Sequence, residues 1–432
     1  MMALDILHNG IVYRKEEGTV TLHRPDRNGG AGTVVEVDAA LAARYRLATG
    51  DVVEGDVEPI EPAQSATAAS DECMEDAAAW DEQWDEPSAV RGASVPSWLI
   101  SRVVPTERLV AVTRINGLTL SEAEERPFPR QRRSPYERAV PERWVPMAVG
   151  PSDLTGRMLD FAAPLGLGYA GMIYGPHASG LTRTLRAVVE STRIHAPDCV
   201  LLVLLLRARG EEITEWRRRF PESDVVVCPS PQMGATPEQT LQIADLTLEC
   251  AQRQTELGRH VLLAVDSLTG LWGAMLEAEE ADAQARADQS HARQRIREWM
   301  QKAGNFSGEG PLGLSLGGSL TLIGTVWNQE IDPEAEEERE VHPHLRLLEH
   351  LLHETGWRVL LSGQLAQQRL YPAIDTARCL SAHEENLLDA TTYERLLLAR
   401  RALANLPLPA RYHALLNALE ATPDNGALLE AL

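Results

Sequence analysis

The sequence predicts an α/β core, a parallel sheet with flanking helices, preceded by a small β-barrel. Three observations predict it. From Ser152 on, apolar runs of strand length alternate with amphipathic helical patterns, the signature of a parallel sheet covered on both faces. Residues 1 to about 57 instead carry short β-branched runs punctuated by Asn-Gly, Glu-Gly and Gly-Gly turns, as in small barrels. The stretch Leu165 to Glu190 joins a short apolar strand to a helix through a glycine-bounded loop. Strand, loop and helix in that order make a phosphate cradle, because backbone N–H groups and a helix N-terminus converge on one anion.

At 432 residues the chain allows two or three domains, and 44% hydrophobic content suffices for a real core. The net charge of −22 disfavours generic binding of polyanions, so contact with nucleic acid would need a local basic patch. Five scattered cysteines without a C-x-x-C pair fit reduced, buried thiols in a cytoplasmic protein. The N-terminus MMALDILHNG has neither a basic start nor a long apolar run, so no secretory signal is expected. The longest apolar run, Val200 to Leu206, is too short to span a membrane and reads as a buried strand.

In chain order, residues 1–118 read as the barrel, of the OB or cold-shock kind. Such barrels bind single strands through aromatics on a basic face. The candidates are Tyr13, Arg14 and Lys15, with Arg24 and Arg27 nearby; an ordinary barrel surface is the alternative. Residues 58–93 interrupt the barrel with a small, polar, strongly acidic insertion that reads as disordered. Trp80 and Trp84, at helical spacing within it, would suit a helix that docks a partner. Residues 119–148, rich in Pro and Arg, read as an extended linker, either solvated or touching nucleic acid or a neighbouring subunit.

Residues 149–432 form the α/β part. Strands are expected at 170–174, 200–206, 224–228, 261–265, 320–326 and 357–361. Helices are expected at 180–194, 211–219, 237–257 and 345–354, with further helices from Asn386 on. The loop Gly175-Pro176-His177-Ala178-Ser179-Gly180-Leu181-Thr182 follows the pattern G-x-x-x-x-G-K-[ST] except that Leu181 stands where the lysine belongs. His342, His344, His350 and His353 lie close in sequence but converge on no metal pattern.

The residues resemble the family of the bacterial transcription termination factor Rho. The likeness runs through SDLTGRMLDFAAPLGLG (152–168), HAPDCVLLVLL (195–205), EEITE (211–215), LAVDSLT (263–269), GGSLTLI (317–323) and YPAID (371–375), with RYRLATGD (44–51) in the barrel. It implies a RecA-type ATPase, a P-loop NTPase core that assembles as a hexameric ring and binds ATP with Mg2+. It also implies RNA at the N-terminal barrel, RNA translocated through the ring, and termination of transcription by RNA polymerase.

On this resemblance, nucleotide would be held by Gly175, Ser179, Gly180, Leu181, Thr182, Arg209, Asp266, Arg369 and Tyr371. Thr182 and Asp266 would serve the metal, and Tyr371 would lie against the adenine. Phosphoryl transfer needs a cradle lysine, a metal-holding carboxylate, a water-orienting group and an arginine finger. Four positions depart from that set. Leu181 replaces the lysine, Ala208 the glutamate that polarises water, Gly270 an arginine after the Asp266 motif, and Ala382 the finger. His177 and Arg183 are candidate stand-ins for the lysine, and Arg378 for the finger. Of the segments that would grip RNA at the ring's centre, 277–299 is mostly helix-forming and acidic in its first half and 328–338 is acidic, so a channel lined by them would repel phosphate.

Three functions follow as expectations. The first is a Rho-like paralogue with a degenerate ATPase site, a regulator of Rho-dependent termination working alone or in rings with an active Rho. The second is a divergent but working RNA translocase. The third is a nucleotide-gated module outside transcription.

Overall fold

The structure is a computed structural model and describes residues 4–15, 18–26, 32–60, 105–125, 138–221, 224–228, 235–279, 290–306, 318–327 and 343–431. Residues 61–93 of the acidic insertion, with Trp80 and Trp84, residues 126–137 of the Pro/Arg-rich linker, Arg27, His342 and segment 328–338 lie outside the described residues, as do residues 280–289 of segment 277–299.

The N-terminal part forms one sheet from β1 (Ile11–Arg14), β2 (Val20–Arg24), β3 (Thr33–Val37), β4 (Val53–Pro59), β5 (Glu107–Ile115) and β6 (Leu118–Thr119). Its order is β1-β2-β3-β5-β4, with β6 on β5, and only β3 and β5 run parallel. The sheet curls back on itself, because an antiparallel bridge joins Ile11 of β1 to Val52 at the start of β4. Val12, Leu22, Val35, Val53 and Leu109 point inward and are buried, as alternation along each strand requires.

The larger sheet contains β9 (Ala170–Gly175), β10 (Val200–Leu205), β11 (Asp224–Val227), β12 (His260–Asp266), β14 (Ser319–Trp327) and β15 (Trp357–Leu360), all parallel, in the order β11-β10-β12-β14-β9-β15. Two short antiparallel strands flank it, β13 (Gly304–Asn305) on β14 and β16 (Leu380–Ser381) on β15. A separate ribbon pairs β7 (Trp144–Val145) with β8 (Leu165–Gly166). The six parallel strands match the apolar runs read from the sequence, because a strand covered on both faces is apolar throughout. Helices Leu181–His195, Gly210–Arg219 and Pro237–Glu256 cover the sheet and bury Leu185, Val188, Trp216, Leu241 and Ala244.

The two parts meet along helix Pro237–Glu256. Gly50 approaches it so closely that a Cβ there would lie 2.7 Å from the Glu249 carbonyl, and its φ of +91° also favours glycine. Buried Asn116 accepts from the Val52 amide (2.9 Å) and from Gln254 (3.2 Å), and donates to Asp51 (3.0 Å). Arg253 and Arg259 donate to the Thr49 and Asn116 carbonyls. These bonds satisfy polar groups that burial would otherwise leave costly.

The C-terminal helices Ala390–Ala404, Leu408–Glu420 and Asn425–Ala431 pack on helix Leu154–Ala162. Buried Arg157 fixes them. It donates to the carbonyls of Leu419 (2.6 Å), Thr422 (2.7 Å) and Asp424 (2.9 Å) and to the Asn425 side chain. The Leu419 carbonyl lies in the last turn of helix Leu408–Glu420, where a cation is favoured, and the others follow in the turn leading to helix Asn425–Ala431. Asp375 of the YPAID motif pairs with Arg411 at 2.8 Å in the same region.

Candidate nucleotide site

The phosphate loop sits where the sequence places it, between β9 and helix Leu181–His195 at the C-terminal edge of the parallel strands. The chain turns into the helix through Ala178 (φ +61°) and Gly180 (φ +100°), both left-handed. Buried Ser179 closes the turn inside the loop, its hydroxyl donating to the Pro176 carbonyl at 2.7 Å. Among the described residues, the amides of Gly180, Leu181, Thr182 and Arg183 have no partner within the chain. Those are the orphan donors of the helix start, aimed at the space an anion would take. The cradle therefore fits a phosphate group.

Two aromatic contacts brace this loop. Tyr371 donates its hydroxyl to the Ala178 carbonyl (2.9 Å) while its ring stays partly exposed beside Gly180. His177 stacks on Trp327 at the end of β14, with ring centroids 4.3 Å apart. His177 thus lies on an indole, and Arg183, the other candidate substitute for lysine, is exposed on the first helical turn. Leu181 itself packs against the core.

Asp266 ends β12, two strands from the phosphate loop, with β14 between. Thr325 of β14 donates to its carboxylate at 2.6 Å. Burial pushes the Asp266 carboxyl above the usual range, and hydrogen bonds from Thr325 and Thr182 oppose the rise; Glu212 adds a like charge and Arg186 an opposite one. Thr182 and Asp266, expected together, are brought together. A hard cation needs few protein oxygens when phosphates supply the rest, and this oxygen set fits Mg2+. Among the described residues no cluster of three His, Cys, Asp or Glu side chains could hold a metal by itself.

The departures from the motif are built into the packing. Ala208 and Ala382 are partly buried against the core, and the Ala382 carbonyl accepts from the Tyr169 hydroxyl. At Gly270 a Cβ would press on Leu206 at 3.1 Å, so no larger side chain fits without a shift. Arg209 is not turned to the cradle: its guanidinium bonds Glu212 at 3.1 Å in the cap of its own helix. Arg369 (φ +58°) and Arg378 are exposed on the segment around Tyr371. Sequence reasoning missed Thr325, Trp327, Glu212 and Arg186. Thr325 breaks the apolar run SLTLIGTVW and Trp327 ends it, and Glu212 lies within EEITE, which were usable signals; Arg186 belongs to no pattern.

In the barrel, Tyr13 is half-buried. It meets His23 edge to face at 5.5 Å and packs against the core beneath helix Pro237–Glu256. Arg14 donates to the Leu47 carbonyl (3.1 Å), and Lys15 is exposed. Residues 290–299 of the acidic segment are helical and docked, with Ile296 and Trp299 buried and Trp299 donating to Asp245 at 2.7 Å. No described helix is long and apolar enough to cross a membrane.

Comparison with known proteins agrees with this geometry. Residues 156–381 match the ATP synthase alpha/beta family, nucleotide-binding domain. The chain is 31% identical over 304 residues to "Transcription termination factor Rho" of Gemmatimonas aurantiaca, an alignment covering 69% of this chain and 38% of that protein. It is 27% identical to "Transcription termination factor Rho 1" of Ehrlichia chaffeensis over 69% of this chain and 66% of that one. It is 28% identical to "Transcription termination factor Rho" of Escherichia coli over 65% and 62%. The matched region thus spans between about two fifths and two thirds of these relatives. A solved ATPase from the type III secretion system of pathogenic bacteria shares the fold, with a TM-score of 0.52 at 16% identity over 69% of this chain and 86% of that one. The chain therefore belongs to the ATP synthase alpha/beta family through its nucleotide-binding domain, and within it is a divergent relative of transcription termination factor Rho.

Proposed function

We propose that this chain is a Rho-like subunit that binds a nucleoside triphosphate but does not turn it over efficiently, and that it regulates Rho-dependent termination by assembly. One observation carries the reading: the cradle is geometrically complete, yet a leucine packed on the core stands where the charge belongs. The backbone from Gly175 to Thr182 would hold the phosphates of ATP, and Tyr371 would face the base. Thr182 and Asp266 would hold Mg2+, which neutralises phosphate charge when bound. The water-orienting carboxylate and the finger are replaced by Ala208 and Ala382. A finger alone contributes roughly 10³–10⁵ in rate.

The assembly is a hexameric homo-ring or a mixed ring with an active Rho, which would supply RNA and RNA polymerase contacts. The barrel supports this reading, because Tyr13 and Arg14 are occupied by contacts within the chain. Retention of Asp266 and Thr182 favours a second reading, an active ATP-dependent RNA translocase with an unusual site.

ATP turnover with and without a cytosine-rich RNA separates them. The wild type is expected to be inactive, and Leu181→Lys/Ala208→Glu/Ala382→Arg to gain turnover. Gly270 is left alone in that variant because Leu206 blocks it. RNA-stimulated turnover in the wild type, abolished by Asp266→Asn, would establish the second reading instead. Mixing the chain with an active Rho should lower that enzyme's RNA-stimulated turnover; absence of any interaction at high concentration would sink the mixed ring.

A further inference from the structure

We infer that Arg186, outside the phosphate loop, is the cation that answers the terminal phosphate of a bound nucleoside triphosphate; this rests on the nucleotide-binding reading above. Arg186 lies five residues beyond Leu181 on the same helix, about 7.5 Å along its axis. Helical side chains lean toward the N-terminus, so its long side chain is directed back toward the loop. It lies four residues beyond Thr182, on the same face of that helix. Other arginines near the site are paired or solvated, Arg369 and Arg378 being exposed. Arg207 pairs with Glu277, Arg209 with Glu212, and Arg183 is exposed.

Arg186 is also spare. Its side chain is only 12% exposed, it lies over the Trp216 ring at 5.4 Å, and Nη1 pairs with Glu215 at 2.5 Å. Nε is buried without a partner. A guanidinium has five donors in a rigid fork, so one carboxylate oxygen leaves most of them unused. Glu215 is 49% exposed, and exchanging so solvated a carboxylate for a phosphate costs little. A phosphate is the stronger partner, because the guanidinium fork matches it in a bidentate, charge-assisted bond. Glu215 thus holds Arg186 in reserve, and Trp216 covers one face of its guanidinium.

The test is isothermal titration of the full chain with MgATP and with MgADP, for the wild type, Arg186→Met, Arg186→Lys and Glu215→Gln. Arg186→Met should weaken ATP at least about tenfold, the lower end for a charge-assisted hydrogen bond, and leave ADP within about twofold. Arg186→Lys should restore part of the loss, and Glu215→Gln should tighten ATP a few fold. If Arg186 merely rivets two helices together, Arg186→Met and Glu215→Gln will both lower the melting temperature while the ATP/ADP ratio stays at the wild-type value, and the assignment falls. If the wild type binds neither nucleotide, the nucleotide reading and this assignment fall together.

Discussion

His23 shows how a single residue couples the barrel to pH. It sits on β2 against Tyr13, with its Nε2 3.1 Å from the Thr21 hydroxyl. Burial, with Lys15 nearby, lowers its pKa from 6.5 to about 4. Between those values this residue binds more protons in the unfolded chain than in the folded one, so its contribution to stability rises with pH across that window and is flat above it. Burial raises the Asp160 carboxyl to about 7, so it titrates in the same window with the opposite sign. The His23 contribution is therefore read as a difference: the melting-temperature gap between the wild type and His23→Gln should change with pH from 4 to about 6.5, and a constant gap would assign the pH dependence to other groups. The four motif departures are legible at this same scale, because identity at a loop position is a fact of sequence. What replaces the lost chemistry was not legible. Arg186 is one arginine among many until helix Gly210–Arg219 places Glu215 and Trp216 around it.

The clearest case among the elements is the C-terminal helical cap. Its helices were expected from Leu/Ala-rich periodicity, but their attachment depends on Arg157 of helix Leu154–Ala162 and on the Asp375–Arg411 pair. Arg157→Met should destabilise the protein by about 3 kcal/mol or more, since several buried carbonyls lose a charge-assisted donor at once. Denaturant unfolding measures the loss, and hydrogen exchange should place it in residues 408–431. A uniform loss of protection across the sheet would contradict that localisation. Strand positions in the parallel sheet were read to within about a residue, because their apolar runs have sharp ends. The parallel pairing of β3 with β5 was not read, because pairing joins segments far apart in the chain.

For the whole molecule, the decisive feature is the joint between barrel and core. Gly50, Asn116 and Arg253 lock the barrel onto helix Pro237–Glu256, so the two should unfold together. Calorimetry should show one transition in the wild type. Gly50→Val, which forces a side chain into the Glu249 backbone at a left-handed position, should split it into two. A single transition in the variant would mean that the core clusters beneath β1 suffice to couple the two parts. The joint also occupies Tyr13, and the Leu47 carbonyl holds Arg14 within the barrel, so the first strand is a packing surface within the chain.

The sequence by itself determined the class of fold, the place of the phosphate loop, the carboxylate at the end of β12 and the leucine at the loop position where the motif carries lysine. Those are local facts, written in residue identity and in the period of apolar residues. Only the tertiary structure decided that His177 lies on Trp327, that Tyr371 ties down Ala178 and that Arg186 lies over Trp216 beside Glu215. Each depends on which segments the sheet order brings side by side, and side chains from distant segments compete for partners only after that order is set.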